Sequence, residues 1–195
     1  MYALYITHPQ VRIDADIPVP EWGLSEVGAA RARVAATRSW AHQLGLIVSS
    51  GERKAIETAE ILAATSGAPI EIIEATHEND RSATGFLPPP EFEKAADWFF
   101  ANPYESFKGW ERAIDAQTRI VSNVEAVLAR HDPRVPIAFV GHGGVGTLLK
   151  CHLEGKPIAR QGDQPPGGGN LFCFDLAKRT ISCDWTPMED WMGWA

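Results

Sequence analysis

Two histidines in this sequence stand where an apolar run gives way to a turn, a position that leaves an imidazole available for chemistry. His142 follows Ile137 to Val140 and is set among glycines at 141, 143 and 144, in the stretch IAFVGHGGVGT. His8 follows the run from Met1 to Ile6 and Thr7, and precedes Pro9, whose missing amide hydrogen resists strand continuation. A neutral imidazole near pH 7 is a competent nucleophile and proton carrier. Val145 to Leu153 has apolar residues at helical spacing, so His142 falls at the carboxyl end of a strand just before a helix N-terminus. Ligands bind there in open α/β sheets, and the free amides of the first turn, Gly143 among them, favour anions.

The glycines admit two readings. Gly141, Gly143 and Gly146 spell G-x-G-x-x-G, a dinucleotide fingerprint, but the stretch comes late in the chain. The next acidic strand end, Asp175, also lies beyond the roughly 20-residue offset of a ribose-binding carboxylate. In the other reading His142 does the work and the glycines give it room.

More polar groups collect at the ends of other predicted strands. Leu46 to Val48 ends in Ser49-Ser50-Gly51, and the helix that opens near Glu52 carries Ala55, Thr58, Ala59, Ile61 and Leu62 inward while its first turn presents Glu52, Arg53 and Lys54. Pro69 to Ile73 is a third strand, and behind it the polar loop THENDRS, 76–82, holds Glu78, Asp80 and Arg81.

The remaining elements must hold these groups in place. Ser25 caps a helix running to about Gln43 with Val27, Ala30, Val34 and Ala35 as its register. Residues 86–109, with three consecutive prolines and the aromatics Phe92, Trp98, Phe99 and Phe100, read as a cap over one end of the sheet. The longest helix spans about 110–131, with Ala113, Ile120, Val124, Val127 and Leu128 as its core stripe. Residues 161–170 form a loop or lid, Leu171 to Asp175 and Thr180 to Asp184 a closing hairpin, and the tail WTPMEDWMGWA folds back on the body, with a subunit contact as the other possibility. Strands alternating with helices predict a three-layer α/β/α sandwich with a mostly parallel central sheet, in a single domain covering 1–195.

Composition narrows the partners. The 195 residues carry 18 basic and 25 acidic side chains, a net charge of -7 without a basic cluster, which argues against nucleic acid and anionic membranes. No apolar run reaches the roughly 20 residues of a membrane span, and YALYIT is too short for a signal peptide, so a cytoplasmic protein is expected. Cys151, Cys173 and Cys183 include no C-x-x-C pair; Cys173 and Cys183 are expected to face each other across the late hairpin as reduced thiols. The six histidines show no metal-ligand spacing, so neither a metal nor a cofactor is expected.

LYITHPQ, WGLSEVGAARA, SSGERKAIETAEILA, HENDR and FVGHGGV occur in an order and spacing that resembles the histidine phosphatase superfamily, the phosphoglycerate-mutase-like proteins. The resemblance covers about three-quarters of the chain. It implies that His8, in the place of the histidine of Arg-His-Gly, takes up a phosphoryl group, and that His142 is the second histidine. It places the cation opening the Ser-Ser helix on Lys54, the acidic proton donor on Glu78 and an accompanying arginine on Arg81.

The function so implied is metal-independent hydrolysis of a phosphomonoester through a phosphohistidine, on a phosphorylated small molecule or phosphoprotein, by a monomer or homodimer. The chain departs from the pattern twice: Thr7 stands where an arginine precedes the histidine, and Lys54 replaces the helix arginine. A hydroxyl and a point charge thus replace two bidentate forks, and Arg12, Arg53 or Arg81 would have to make up the charge. The departures keep open a second expectation, a catalytically impaired phospho-ligand-binding or regulatory protein with the same fold.

Overall fold

The structure, a computed structural model, describes residues 1–193. It is organised on one six-stranded sheet, built from β1 (Tyr2–Thr7), β2 (Leu46–Ser49), β3 (Ile70–Ile72), β4 (Ile137–Gly141), β5 (Asn170–Asp175) and β6 (Ile181–Pro187) in the order β3-β2-β4-β1-β5-β6. The first four strands are mutually parallel where they pair, and β5 runs antiparallel to both β1 and β6. The sheet is therefore mostly parallel, as expected. Residues 3–6 alternate between its two faces, and both faces are covered, which explains why β1 is an unbroken apolar run rather than an alternating one.

One face packs on α1 (Glu26–Ala36), α2 (Ser39–His42) and α3 (Arg53–Ser66), with Leu4, Ile6, Ile47 and Val140 meeting Ala32, Ala35, Trp40, Ala59 and Leu62. The other packs on α4 (Pro89–Ala101), α5 (Ala113–Leu128) and α6 (Gly143–Leu153), with Tyr5, Val48, Phe139 and Phe172 meeting Phe99, Ile120, Val124 and Leu148. These are the three layers of the expected sandwich. Among the described residues no helix is long and apolar enough to cross a membrane.

The helix after Ser25 differs from its sequence reading. Ser25 does cap it, accepting from the Gly28 amide, but the chain breaks between α1 and α2, and the buried residues of α1 are Gly28, Ala32, Ala35 and Ala36. Val27 and Val34 are exposed. The small face wins because α1 lies hard against the loop after β1: a Cβ at Gly28 would stand 2.1 Å from the Gln10 carbonyl oxygen. The long helix, by contrast, buries Ala113, Ile120, Val124, Val127 and Leu128 as its spacing predicts. Cys173 and Cys183 are paired across β5 and β6 as free thiols. The tail turns back so that Met188 is buried and Trp191 packs on Trp40, with ring centroids 5.7 Å apart; Trp194 and Ala195 lie outside the described residues.

Candidate active site

The two histidines meet because β1 and β4 are neighbours in parallel register. Thr7 is paired with Gly141, and the next residue's amide, that of His8, donates to the Gly141 carbonyl at 3.0 Å. The imidazoles of His8 and His142 stand with centroids 5.3 Å apart and planes inclined at 67°. On the other side of β4, Ser50 leaves β2 with its amide on the Val140 carbonyl. Three strand ends thus deliver His8, His142 and Ser50 to one edge, where the chain crosses between the two halves of the sheet.

Tyr5 holds the turn that carries His142. Its hydroxyl accepts from the His142 amide and donates to the His142 carbonyl, both at 3.1 Å. Its side chain fills the space that side chains at Gly141 and Gly146 would need, since Cβ atoms there would lie 2.5 Å from its hydroxyl oxygen and 2.4 Å from its ring. Two of the three fingerprint glycines, Gly141 and Gly146, are thus accounted for by this tyrosine, and the third, Gly143, lies against Gln164. Burial keeps the Tyr5 phenol protonated.

His142 is fully buried, with Nε2 2.6 Å from the Ser50 hydroxyl and 3.4 Å from Glu52 Oε1. Glu52 also pairs with the ammonium of Lys54 and accepts the backbone amide of Glu78 at 3.0 Å. Burial opposes the charge on Glu52, yet His142 and Lys54 outweigh it and hold the carboxyl down at about 2. Lys54 therefore arrives beside the histidines already neutralised, its other contact being the Val19 carbonyl at 2.9 Å. Burial, then the Lys54 charge, lowers His8 to about 4; burial likewise lowers His142 to about 4 against the pull of Glu52. Both imidazoles are neutral at pH 7. Nδ1 of His8 lies 2.9 Å from the Pro9 carbonyl and so carries the proton, leaving a lone pair on Nε2.

Glu78 reaches the N-terminus of α6. Its carboxylate accepts from Gly144 and Val145 at 3.0 Å each and from Asn79 at 3.0 Å, and a side chain at Gly144 would collide with it. The loop carrying it is pinned from α5: Arg119 donates to the carbonyls of Ala75, His77 and Glu78.

A cavity of about 560 Å³ opens over this edge, lined by His8, Glu78, Arg81, Gly143 and Gln164 and walled on one side by aromatics of α4. The cap residues Phe92, Phe99 and Phe100 are among those walls. Arg81 stacks 4.7 Å over the Phe92 ring and makes no ion pair among the described residues, whereas the other lining cation, Arg160, is held by Glu93 and Asp97.

Not every residue singled out by sequence comes to this cavity. Arg53 does not: it points to solvent, pairs with Glu57 at 2.7 Å and borders a separate small cavity with Arg12. As the residue after the Glu52 N-cap, it projects from the outer side of the first turn of α3, while Lys54 projects inward. Thr7 is buried beneath the cavity rather than facing it, and its hydroxyl donates to Gln164 Oε1 at 2.7 Å. Tyr5, Arg119 and Gln164 went unmarked by sequence reasoning, and Ser50 and Glu52 were placed at a strand end without a role. Glu52 had the one available signal, a carboxylate two residues before the mapped cation; Gln164 sits in a proline- and glycine-rich loop with no periodicity to flag it.

The family model of the histidine phosphatase superfamily (branch 1) matches residues 10–181, a span that begins just after His8. No curated protein matches the chain in sequence. Among solved structures, the mycobacterial glucosyl-3-phosphoglycerate phosphatase in complex with inorganic phosphate superposes with a TM-score of 0.76 at 22% identity, covering 95% of this chain and 94% of its own. The Bacillus stearothermophilus protein YhfR superposes with a TM-score of 0.78 at 21% identity, over 96% and 98% of the two chains. These likenesses are of fold, and the family match carries the assignment: the chain belongs to the histidine phosphatase superfamily, branch 1.

Proposed function

We propose that the protein is a metal-independent phosphomonoester hydrolase that works through a phosphohistidine on His8. The observation that carries this reading is the tautomer of His8: with its Nδ1 proton given to the Pro9 carbonyl, Nε2 has a free lone pair, in a residue lining the cavity. In the first step Nε2 attacks phosphorus, the N–P bond forms, and the bond to the leaving oxygen breaks. Glu78 supplies the proton to that oxygen; Oε2, which accepts one amide where Oε1 accepts two, is the oxygen free to carry it. In the second step Glu78 takes a proton from water, water displaces His8, and inorganic phosphate leaves.

His142 supports the transferring group as a donor. In this reading the Ser50 hydroxyl donates to His142 Nε2, which leaves the imidazole proton on Nδ1, an atom with no hydrogen-bond partner among the described residues. Arg81 supplies charge. The apolar walls Val11, Ile13, Phe92 and Phe99 suit a leaving group with an aryl or alkyl surface better than a bare sugar. Hydrolysis of an aryl phosphate in the presence of chelator tests the proposal: the native protein turns over, His8→Ala folds but does not, and full activity in His8→Ala would remove His8 from the mechanism.

A second reading, a phospho-ligand-binding or regulatory protein without turnover, is favoured by the neutralised Lys54. It predicts phosphate binding without a phosphoenzyme.

A further inference from the structure

Position 7 holds threonine where the family pattern has arginine, and the contacts of Thr7 lead to a different side chain. Its hydroxyl donates to Oε1 of Gln164, and Nδ2 of Asn170 gives the same oxygen a second hydrogen bond at 3.0 Å. Nδ2 of Asn170 also donates to the carbonyls of Pro165 and Gly168, which fixes it as a donor and so fixes the facing atom of Gln164 as its oxygen. The backbone is tied as well: the Gln164 amide donates to Asp163 Oδ1 at 2.7 Å, and that oxygen accepts the Thr147 hydroxyl at 2.8 Å. A flipped carboxamide would set its NH2 against the Asn170 Nδ2 donor, so the orientation with Oε1 toward Thr7 and Asn170 is the favoured one.

With Oε1 anchored twice, Nε2 is directed to the start of α6, where a Cβ on Gly143 would lie 2.3 Å from it. Gln164 lines the same cavity as His8, Glu78 and Arg81, and its Nε2 makes no hydrogen bond to the protein among the described residues. A donor pair held this firmly beside a nucleophilic imidazole has the properties of a preorganised oxyanion contact.

We propose that the Gln164 side-chain amide donates to a phosphoryl oxygen in the seat beside His8, in the role that the absent arginine at position 7 would have had. This inference rests on the phosphatase reading for its substrate class, a phosphomonoester. Thr7 is then a positioning residue, and the site binds its phosphoryl group by a neutral donor and one unpaired cation instead of two guanidinium forks.

The test compares native protein, Gln164→Met and Gln164→Glu for binding of inorganic phosphate by calorimetry and for hydrolysis of p-nitrophenyl phosphate. Gln164→Glu keeps an oxygen for Thr7 and Asn170 to donate to, so it remains informative where Gln164→Met fails to fold. The expected result is that both variants lose phosphate binding and that kcat falls about 100- to 1000-fold. Native activity with both variants within about threefold of it overturns the role of Gln164 and leaves the phosphatase reading standing. A native protein that binds phosphate without hydrolysis, and loses that binding in Gln164→Glu, upholds Gln164 as the donor while the hydrolase reading fails. A native protein that neither binds nor hydrolyses overturns both.

Discussion

The His8 amide donates to the Gly141 carbonyl at 3.0 Å, extending the β1–β4 ladder by one rung, and the residue after that carbonyl is His142. The nearness of the two imidazoles is thus a property of strand register, independent of any side-chain contact between them. A slip of one residue would send one of the rings to the opposite face of the sheet.

The low pKa of His8 sets an expected rate profile. An imidazole with the ordinary value near 6.5 loses roughly 25-fold of its neutral form between pH 7 and pH 5. His8, lowered to about 4 by burial and Lys54, loses almost none over that range. We expect kcat/KM for an aryl phosphate to show no fall of that size from pH 7 to pH 5, as measured by initial rates. A decline following a single group near 6.5 would show that the nucleophile is not the half-buried, neutral imidazole described.

Stability should depend on pH through the same rings. Unfolded, His8 and His142 take up protons below about 6.5, whereas folded they stay neutral down to about 4. Their contribution is therefore complete above pH 6.5 and is lost as pH falls toward 4, by at most about 3 kcal/mol per pH unit for the two together. Glu52, held at about 2, adds a loss in the same direction below its ordinary value of 4.5. Urea unfolding at pH 7.0, 6.0 and 5.0 reads the slope, and His142→Gln should halve it. Equal stability at all three values would contradict the burial of neutral histidines.

Lys54 is expected to matter more to folding than a surface cation would. Its ammonium and the Glu52 carboxylate are almost wholly buried together, so Lys54→Met leaves an unpaired buried charge that costs about 3–5 kcal/mol. Adding Glu52→Gln should recover part of the loss. Chemical denaturation of the three proteins checks this; a loss within about 0.5 kcal/mol would place Lys54 outside a buried pair.

The layers of the fold were legible in the sequence because strand runs such as Ile137 to Val140 and the stripe from Ala113 to Leu128 are bounded by clear turn signals. The placement of His8 and His142 followed from those strand ends. What stayed hidden depends on contacts between distant residues. The glycines of GHGGVG carry no mark that two of them face Tyr5, and nothing near Thr7 in the chain points to Gln164, 157 residues away. Arg53 and Lys54 are adjacent cations, and only the inward turn of α3 separates the buried partner of Glu52 from the exposed partner of Glu57. Along α1, alanines and a glycine took the face that valines were expected to hold, because the Gln10 backbone leaves no room for larger side chains.

The most direct test of the account is chemical capture of the intermediate. Native protein mixed with an aryl phosphate, quenched in alkali within milliseconds and digested should yield a base-stable, acid-labile phosphate on the peptide containing His8, absent from His8→Ala. Hydrolysis that proceeds with no such phosphate, or with the phosphate on His142, would contradict a mechanism in which Nε2 of His8 is the nucleophile.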